Sequence, residues 1–468
     1  DESRFYRGEL DGVTGHLGRY EVTVRAGEVA GNPRSIDRQR FFDVVFDLTA
    51  RPALAAERRP PGYFAPADAN ELADAIDEAR GLVGEFEKPV YIRYAPDLCA
   101  RGASGLTGCT RCAQVCPAWA ITPGAEDVAI DTHLCQGLGP CATVCPSGAI
   151  GYAYPERAEL LDGLRRALAD CREAGMPAPS VLFHSQAWAQ GRDAGWREGL
   201  PDRVLPVEVE EIGAVGPETW FALLAFGAGE VLLLDDPSLS PSVRPVLDRE
   251  LEWASALLEG LGASGPRVAR ITGVPEGEVA PDGVPPAAFA TDQDKRTTLG
   301  MALDHLWERL GRPEAPVPLP KGAPLGSLAF DAQACTLCMS CVSICPLKAL
   351  HDGGDTPKLA FVEQNCVQCG LCVEACPEDA LALEARYLPD PEPRRAQRVL
   401  KAEEPLRCTV CGKPFATPSV IEMMTEKLRD HPMFQGEALA MLRMCETCRV
   451  RAMFNDGNPP PGPGMRVN

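Results

Sequence analysis

The alternation of hydrophobic and polar positions is most regular between residues 155 and 311. Four short apolar runs have strand length, and amphipathic runs of helical length separate them. The strand patterns cover residues 181–184, 203–209, 230–235 and 267–272, and the helical patterns cover residues 156–173, 218–227, 243–261 and 297–310. Strands that alternate with helices predict an α/β insert domain with a parallel sheet over residues 155–311. The carboxyl ends of such strands are a default site for a flavin or a nucleotide.

The first 90 residues have a shorter pattern of strands and one helix. Residues 20–25 alternate at period two and residues 41–48 form an apolar run, so we predict both as strands. A helical pattern covers residues 68–83, where Asp68 is a candidate N-cap with Glu71 three residues later. These elements predict a small mixed α/β domain over residues 1–90.

Two cysteine runs between residues 328 and 387 have the spacing of a bacterial two-cluster ferredoxin. Each run reads Cys-x-x-Cys-x-x-Cys, then three residues and Cys-Pro. Three thiolates on a tight loop and a fourth on the next turn suit a cubane 4Fe-4S cluster, which needs four soft anionic ligands. The fourth cysteine of each run ligates the other cluster in such proteins. The predicted ligand sets are Cys335, Cys338, Cys341 and Cys376 for one 4Fe-4S cluster, and Cys345, Cys366, Cys369 and Cys372 for the other.

Residues 91–154 repeat this motif in altered form and predict a second dicluster module. All four Cys-Pro units of the chain continue into a turn that ends in alanine and an aliphatic residue, which indicates duplication. Residues 100–108 separate the first two cysteines, where two residues are usual, so a loop must extend beside that cluster. The crossed rule gives this 4Fe-4S cluster four ligands, Cys99, Cys109, Cys112 and Cys145.

Leucine occupies position 138, where the middle cysteine of the second run belongs. The neighbouring cluster therefore keeps three ligands, Cys116, Cys135 and Cys141. We favour loss of the unligated iron to give a 3Fe-4S cluster. The alternatives are an incomplete 4Fe-4S cluster with water, hydroxide or another side chain at that iron, and no cluster at all. His133 is a candidate replacement ligand, although a histidine bonded to a carbonyl group is the commoner case.

Two Cys-x-x-Cys pairs predict a small zinc ribbon over residues 388–455. Cys408, Cys411, Cys445 and Cys448 offer four thiolates, the closed set typical of structural zinc. Helical patterns at residues 419–428 and 437–444 lie between the pairs. A rubredoxin-like iron or a further iron–sulfur cluster is the alternative, because four thiolates do not decide the metal. Cys171 is the one cysteine of 20 outside these motifs, and we predict it to be free.

Composition and the remaining segments narrow the class of partner. The 468 residues carry a net charge of -20, whereas nucleic acids and anionic membranes attract basic surfaces, so neither is expected as the main partner. No apolar run has the length of a membrane span. Cysteines at metal-ligand spacing indicate reduced thiols and a cytoplasmic protein. Residues 312–327 are rich in proline and predict a semi-rigid linker, and residues 456–468 predict a flexible tail.

The chain resembles a bacterial family of multi-cluster 4Fe-4S ferredoxin-like proteins associated with formate dehydrogenase systems. The resemblance covers nearly the whole chain and rests on the Glu-Phe-Glu-Lys-Pro stretch at 85–89, the long-loop motif, the insert around residues 213–229, the second ferredoxin unit and the Cys-Thr-Val-Cys-Gly-Lys-Pro-Phe stretch at 408–415. The insert is also similar to the delta subunit of methanogen hydrogenases, but has no cysteine cluster of its own. The resemblance implies redox partner proteins, with formate dehydrogenase expected among them. In the family a cysteine usually stands in the position of Leu138.

Together these patterns predict an α+β multidomain protein with two dicluster ferredoxin-like modules, one α/β insert and one zinc ribbon. The expected cofactors are three 4Fe-4S clusters, one 3Fe-4S or incomplete 4Fe-4S cluster and one zinc ion. A flavin in the insert has no sequence motif to support it. We predict an electron-transfer protein or subunit that is not itself catalytic. The alternatives are an oxidoreductase with its own flavin or open-iron site, and a partner-binding scaffold or assembly factor with structural clusters.

Overall fold

The protein folds as two compact units in a computed structural model that describes residues 9–25 and 41–455, apart from residues 177, 194, 276–280 and 355. The first unit contains Asp1–Arg101 and Thr110–Pro313, and the second contains Gly102–Cys109 and Glu314–Asn468. The predicted flexible tail at residues 456–468 lies outside the described residues.

Both units contain short strands and α-helices. The strands are β1 (Glu9–His16), β2 (Arg19–Arg25), β3 (Val45–Phe46), β4 (Tyr63–Phe64), β5 (Ile92–Tyr94), β6 (Gly102–Ala103), β7 (Leu106–Thr107), β8 (Ile121–Pro123), β9 (Val128–Ile130), β10 (Ile150–Tyr152), β11 (Ser180–Ser185), β12 (Val204–Val209), β13 (Glu230–Leu234), β14 (Val268–Ile271), β15 (Val317–Pro318), β16 (Gly326–Phe330), β17 (Leu350–His351), β18 (Lys358–Phe361), β19 (Leu381–Tyr387), β20 (Arg398–Ala402), β21 (Leu406–Arg407) and β22 (Pro414–Ala416). The α-helices are α1 (Ala69–Gly81), α2 (Arg111–Gln114), α3 (Pro140–Val144), α4 (Arg157–Glu173), α5 (Gln186–Gln190), α6 (Pro217–Ala225), α7 (Arg244–Gly260), α8 (Lys295–Leu310), α9 (Ser340–Ser343), α10 (Leu371–Glu374), α11 (Pro391–Arg395), α12 (Pro418–Leu428), α13 (Glu437–Ala440) and α14 (Glu446–Asn455).

The N-terminal part of the first unit is built on the antiparallel hairpin β1–β2. The predicted helix is confirmed as α1. The Asp68 carboxylate caps its start by accepting hydrogen bonds from the backbone N–H groups of Asn70 and Glu71. The predicted strand at 41–48 is wrong over most of its length, since only Val45–Phe46 is a strand. The chain turns there because the buried Asp47 carboxylate accepts hydrogen bonds from Thr49 and other nearby groups, which replace a strand ladder.

The α/β part of the first unit confirms the predicted parallel sheet. Its strand order is β12-β11-β13-β14, and every adjacent pair in it is parallel. Open α/β sheets bind ligands where the strand order reverses, and in this sheet the order reverses between β11 and β13. Helix α6 is buried over its whole length and contacts α4, α7, α8 and β13. This mostly apolar helix of nine residues is therefore the centre of the core rather than an amphipathic surface helix.

The part of the second unit around its cysteine loops combines two three-stranded antiparallel sheets with the short helices α9 and α10. The sheets have strand orders β15-β19-β16 and β17-β18-β20. Strand β15 lies inside the segment predicted as a Pro-rich linker, and β20 lies inside the segment assigned to the zinc ribbon, but they pair with β19 and β18 of the predicted second dicluster module. Pro318 is tolerated in β15 because this strand is at the edge of its sheet.

The described residues contain no helix that is both long enough and apolar enough to cross a membrane.

Candidate metal centres

Left-handed backbone residues shape both cysteine loops of the second unit. The residues before and after the second cysteine of each loop have positive φ, and they are Leu337, Met339, Gln368 and Gly370. Three of these four are not glycine, and this conformation costs such residues free energy that the surrounding structure must offset. The turn aims the three cysteines of each loop into one cavity.

Each of these cavities receives its fourth cysteine from the other run. Apolar side chains form much of both walls, with Leu381 in the first and Phe361 in the second. The cysteines that line the first cavity are Cys335, Cys338, Cys341 and Cys376, and those that line the second are Cys345, Cys366, Cys369 and Cys372. The structure therefore brings together the two crossed sets that the spacing predicts.

Backbone N–H groups donate to the sulfur of the fourth cysteine in both runs. Ala349 N lies 3.2 Å from Cys345 Sγ, and Ala380 N lies 3.3 Å from Cys376 Sγ. The residue just before each alanine is left-handed, which turns the chain back over the sulfur. Hydrogen bonds to ligand sulfur stabilise thiolate charge and help to set the potential of an iron–sulfur cluster.

Burial and mutual repulsion oppose ionisation of the cysteines in these cavities when no cation is bound. Burial raises the pKa of Cys341 to about 12, and its neighbouring cysteines reinforce the rise. Burial likewise raises the pKa of Cys369 to about 11 and shifts the pKa of Cys372 upward. Four thiolates in one apolar cavity repel one another unless a cation binds between them. The soft, all-thiolate donor set fits an iron–sulfur cluster.

Six cysteines of the first unit share one core with apolar residues of β5, β8, β9 and β10. They are Cys99, Cys112, Cys116, Cys135, Cys141 and Cys145. Burial and the nearby sulfurs of Cys116 and Cys135 raise the pKa of Cys141 well above its usual value. The three cysteines predicted to share the altered cluster therefore lie near one another.

The loop that carries Leu138 keeps the backbone form of the complete loops. Gly137 and Gly139 have positive φ on either side of Leu138, as do the residues around Cys338 and Cys369 in the second unit. Leu138 itself is only 6% exposed. A Cβ on Gly139 would lie 2.5 Å from Ala214 Cα, so the loop packs tightly on the turn after β12. Position 138 therefore has the backbone conformation of a ligand-bearing loop but carries no thiolate.

Cys109 is grouped apart from its predicted partner ligands. The segment Gly102–Cys109 belongs to the second unit, where β7 contacts α10 and Cys109 is close enough to Cys369 to add to the rise in its pKa. Cys99, Cys112 and Cys145 belong to the first unit. The predicted four-ligand set that includes Cys109 stays a prediction.

The candidate replacement ligand His133 stacks on another histidine. Its ring centroid is 4.1 Å from that of His16, and its backbone N–H donates to the Asp131 carboxylate. His133 is exposed. These contacts fix the backbone and the ring stacking of His133, and its role as a replacement ligand stays a prediction.

The four C-terminal cysteines are arranged for one metal ion. Their sulfurs all lie within 4.8 Å of one another, and Cys411 Sγ is 3.7 Å from Cys445 Sγ. A tetrahedral ion with metal–sulfur bonds of about 2.3 Å places its sulfurs about 3.8 Å apart. Although burial opposes ionisation, N–H groups that include those of Cys445 and Cys411 lower the pKa of Cys408 to about 6. Cys408, Cys411, Cys445 and Cys448 therefore fit a single ion better than a polynuclear cluster.

A comparison with protein families gives one match. Residues 334–381 match the model of the 4Fe-4S dicluster domain. The chain thus contains a ferredoxin-type domain, which supports 4Fe-4S binding and iron–sulfur electron transfer. A search of curated proteins found no match to the chain.

Lys401 lies beside the candidate ligand Cys335, but no sequence motif predicts this position. Lys401 Nζ donates to the backbone carbonyl of Cys335 at 2.5 Å. A lysine in a strand 25 residues after the last cysteine of the module has no motif spacing, so only pairing of β20 with β18 reveals its position. Gln368 lies inside the second run, and its Nε2 donates to Cys366 Sγ at 3.3 Å.

The Leu138→Cys variant should complete the ligand set of the altered cluster. The left-handed residues on both sides already give position 138 the backbone form of a ligand-bearing loop. We expect a 3Fe-4S electron paramagnetic resonance signal in the oxidised native protein, and its loss in the variant with a gain of one iron per chain. Leu138→Ala is the matched control and should keep the signal, because it adds no thiolate. Four equivalent reduced cubanes in the native protein would contradict the 3Fe-4S assignment.

Proposed function

We propose that this protein is an iron–sulfur electron-transfer protein or subunit that relays electrons to or from a partner oxidoreductase. The observation that carries the proposal is the pair of cavities in the second unit, each lined by four cysteines from crossed runs. The match of residues 334–381 to the dicluster domain supports the same conclusion. Sequence resemblance points to formate dehydrogenase as the partner.

The residues around each cavity hold and shield a cofactor rather than a substrate. Cys335, Cys338, Cys341 and Cys376 would hold one 4Fe-4S cluster, and Cys345, Cys366, Cys369 and Cys372 the other. A bound cluster accepts and gives up one electron at a time. Leu381 and Phe361 exclude water from the two walls, and the N–H groups of Ala349 and Ala380 stabilise ligand charge.

The same proposal assigns the other cysteine groups. In the first module, Cys99, Cys109, Cys112 and Cys145 would hold a further 4Fe-4S cluster, and Cys116, Cys135 and Cys141 a 3Fe-4S or incomplete 4Fe-4S cluster. The four C-terminal cysteines would hold a structural zinc ion, for which the 3.7 Å sulfur separation is suitable. A net charge of -20 favours docking on a basic surface of the partner.

Electron uptake from formate dehydrogenase tests this function. We expect the anaerobically purified protein to contain iron and sulfide, and its visible absorbance to bleach when formate and catalytic formate dehydrogenase are added. The rate should fall as salt is added, because the acidic chain would lose attraction to a basic partner. Omission of the enzyme is the control. A protein without iron would refute cluster binding, and clusters that dithionite reduces but the enzyme does not would refute this partner.

A further inference from the structure

A nearly buried lysine lies against the loop that carries the first candidate cluster ligands. Lys401 is in β20, directly opposite Leu359 of β18. Paired residues of antiparallel strands place their side chains on the same face, and Leu359 lines the cavity of Cys335, Cys338, Cys341 and Cys376. The ammonium group donates to the Cys335 carbonyl at 2.5 Å, and the side chain is only 14% exposed.

A carboxylate holds this lysine from the side of helix α12. Glu403 Oε1 is 3.0 Å from Lys401 Nζ and accepts a 2.6 Å hydrogen bond from the Ser419 hydroxyl. The backbone N–H of Ser419 also donates to Glu403. The lysine therefore contacts the cysteine loop itself, whereas the carboxylate is tied to the helix beyond it.

The helix also holds the cysteine loop directly. The Thr417 hydroxyl, at the N-cap of α12, donates at 3.0 Å to the carbonyl of Thr336, the residue that follows Cys335. Both carbonyls at the start of the loop are thus bonded by residues that follow the ferredoxin motif in sequence. Neither contact is part of the cysteine spacing that predicts a cluster.

Fixed charges at this position act on the energy of an added electron. A cluster with four thiolate ligands is anionic, and one-electron reduction makes it more so. A nearby cation stabilises the reduced form, and this effect is strong where burial limits screening by water and salt. We propose that Lys401 raises the reduction potential of the cluster bound by Cys335, Cys338, Cys341 and Cys376, and that Glu403 opposes this effect. The inference rests on the proposed electron-transfer function.

Two variants with opposite expected effects test the proposal in the full chain. Lys401→Met removes the cation and leaves Glu403, so the ratio of oxidised to reduced cluster at a fixed potential should rise on the order of tenfold. Glu403→Gln removes the anion and should lower that ratio. Lys401→Arg keeps the charge and should restore the native ratio. Lys321→Met, at an exposed lysine of the second unit, is the control for overall charge and should leave the ratio unchanged.

The measurement is a redox titration followed by electron paramagnetic resonance. Cys338→Ser identifies the signal of this cluster beforehand, since it alters one ligand of that set. Opposite shifts in the Lys401→Met and Glu403→Gln proteins support the proposal. Shifts of the same sign, or equal shifts in the Lys321→Met control, overturn it, because disturbed packing or overall charge would then explain them. A protein that contains no clusters would instead refute the proposed function.

Discussion

Replacing Cys376 with alanine is expected to damage the cluster of the first cysteine run, although Cys376 belongs to the second run. Cys376 lines the same cavity as Cys335, Cys338 and Cys341. Without it, one iron of that cubane has no thiolate, so we expect its native signal to be lost and the protein to contain one to four fewer irons. The cavity of Cys369 and its partner ligands keeps all four cysteines and should retain its cluster.

Variants that change one ligand of one loop identify which cluster gives each spectroscopic signal. Cys338→Ser alters the first loop and Cys369→Ser alters the second, so each labels one cluster in electron paramagnetic resonance spectra and in redox titrations. Cys376→Ala should change the signal that Cys338→Ser changes. The matched variant Cys345→Ala should change the signal that Cys369→Ser changes. If Cys376→Ala instead affects the Cys369 signal, the crossed assignment is wrong.

The cysteine loops of the second unit follow from local sequence because a ferredoxin loop is a local structure. The spacing of cysteines fixes the number of residues in each turn, and the turn needs left-handed residues at particular positions. Only Gly370 is the residue type expected at such a position, while Leu337, Met339 and Gln368 are not. Turn propensity therefore does not predict these left-handed residues, whereas the cysteine spacing does predict the ligand positions.

Contacts between distant segments could not be read from the sequence. Strands β15 and β20 come from segments rich in proline or charge, and they are defined only by pairing with β19 and β18. The sequence shows that Gly102–Cys109 lies in a long loop, but it does not show that this segment belongs to the second unit. Lys401 has its position beside Cys335 for the same reason.

In the α/β sheet, the sequence predicts the strands but not their order. The apolar runs predicted four strands, since fully buried parallel strands such as β11 need no polar alternation. The order β12-β11-β13-β14 was not predicted, because several orders bury the same residues equally well. The expected ligand position, between β11 and β13, could be located only after that order was known. Flavin binding there stays an untested alternative.

Because the four C-terminal cysteines are proposed to bind one structural ion, its removal should unfold the segment around them while leaving the ferredoxin-type sheets folded. The apolar core of this part is small, with Cys408, Cys445 and Cys448 buried against Phe415 and Met444. Binding of a structural zinc ion by four thiolates contributes on the order of 10 kcal/mol to folding, which such a core cannot replace. Cys445→Ser should therefore lose the ion and expose the chain around α12 and α14 to protease.

Limited proteolysis and metal analysis of the full chain measure this effect. We expect cleavage between residues 405 and 455 in Cys445→Ser at least tenfold faster than in the native protein, with one zinc fewer per chain. Cys171→Ser is the control, because Cys171 lies in α4 and outside every candidate ligand set, and it should change neither result. One iron lost in place of zinc would show that the site has a rubredoxin-like ion. Native protease resistance without the ion would mean that packing alone stabilises the ribbon, contrary to the size of its core.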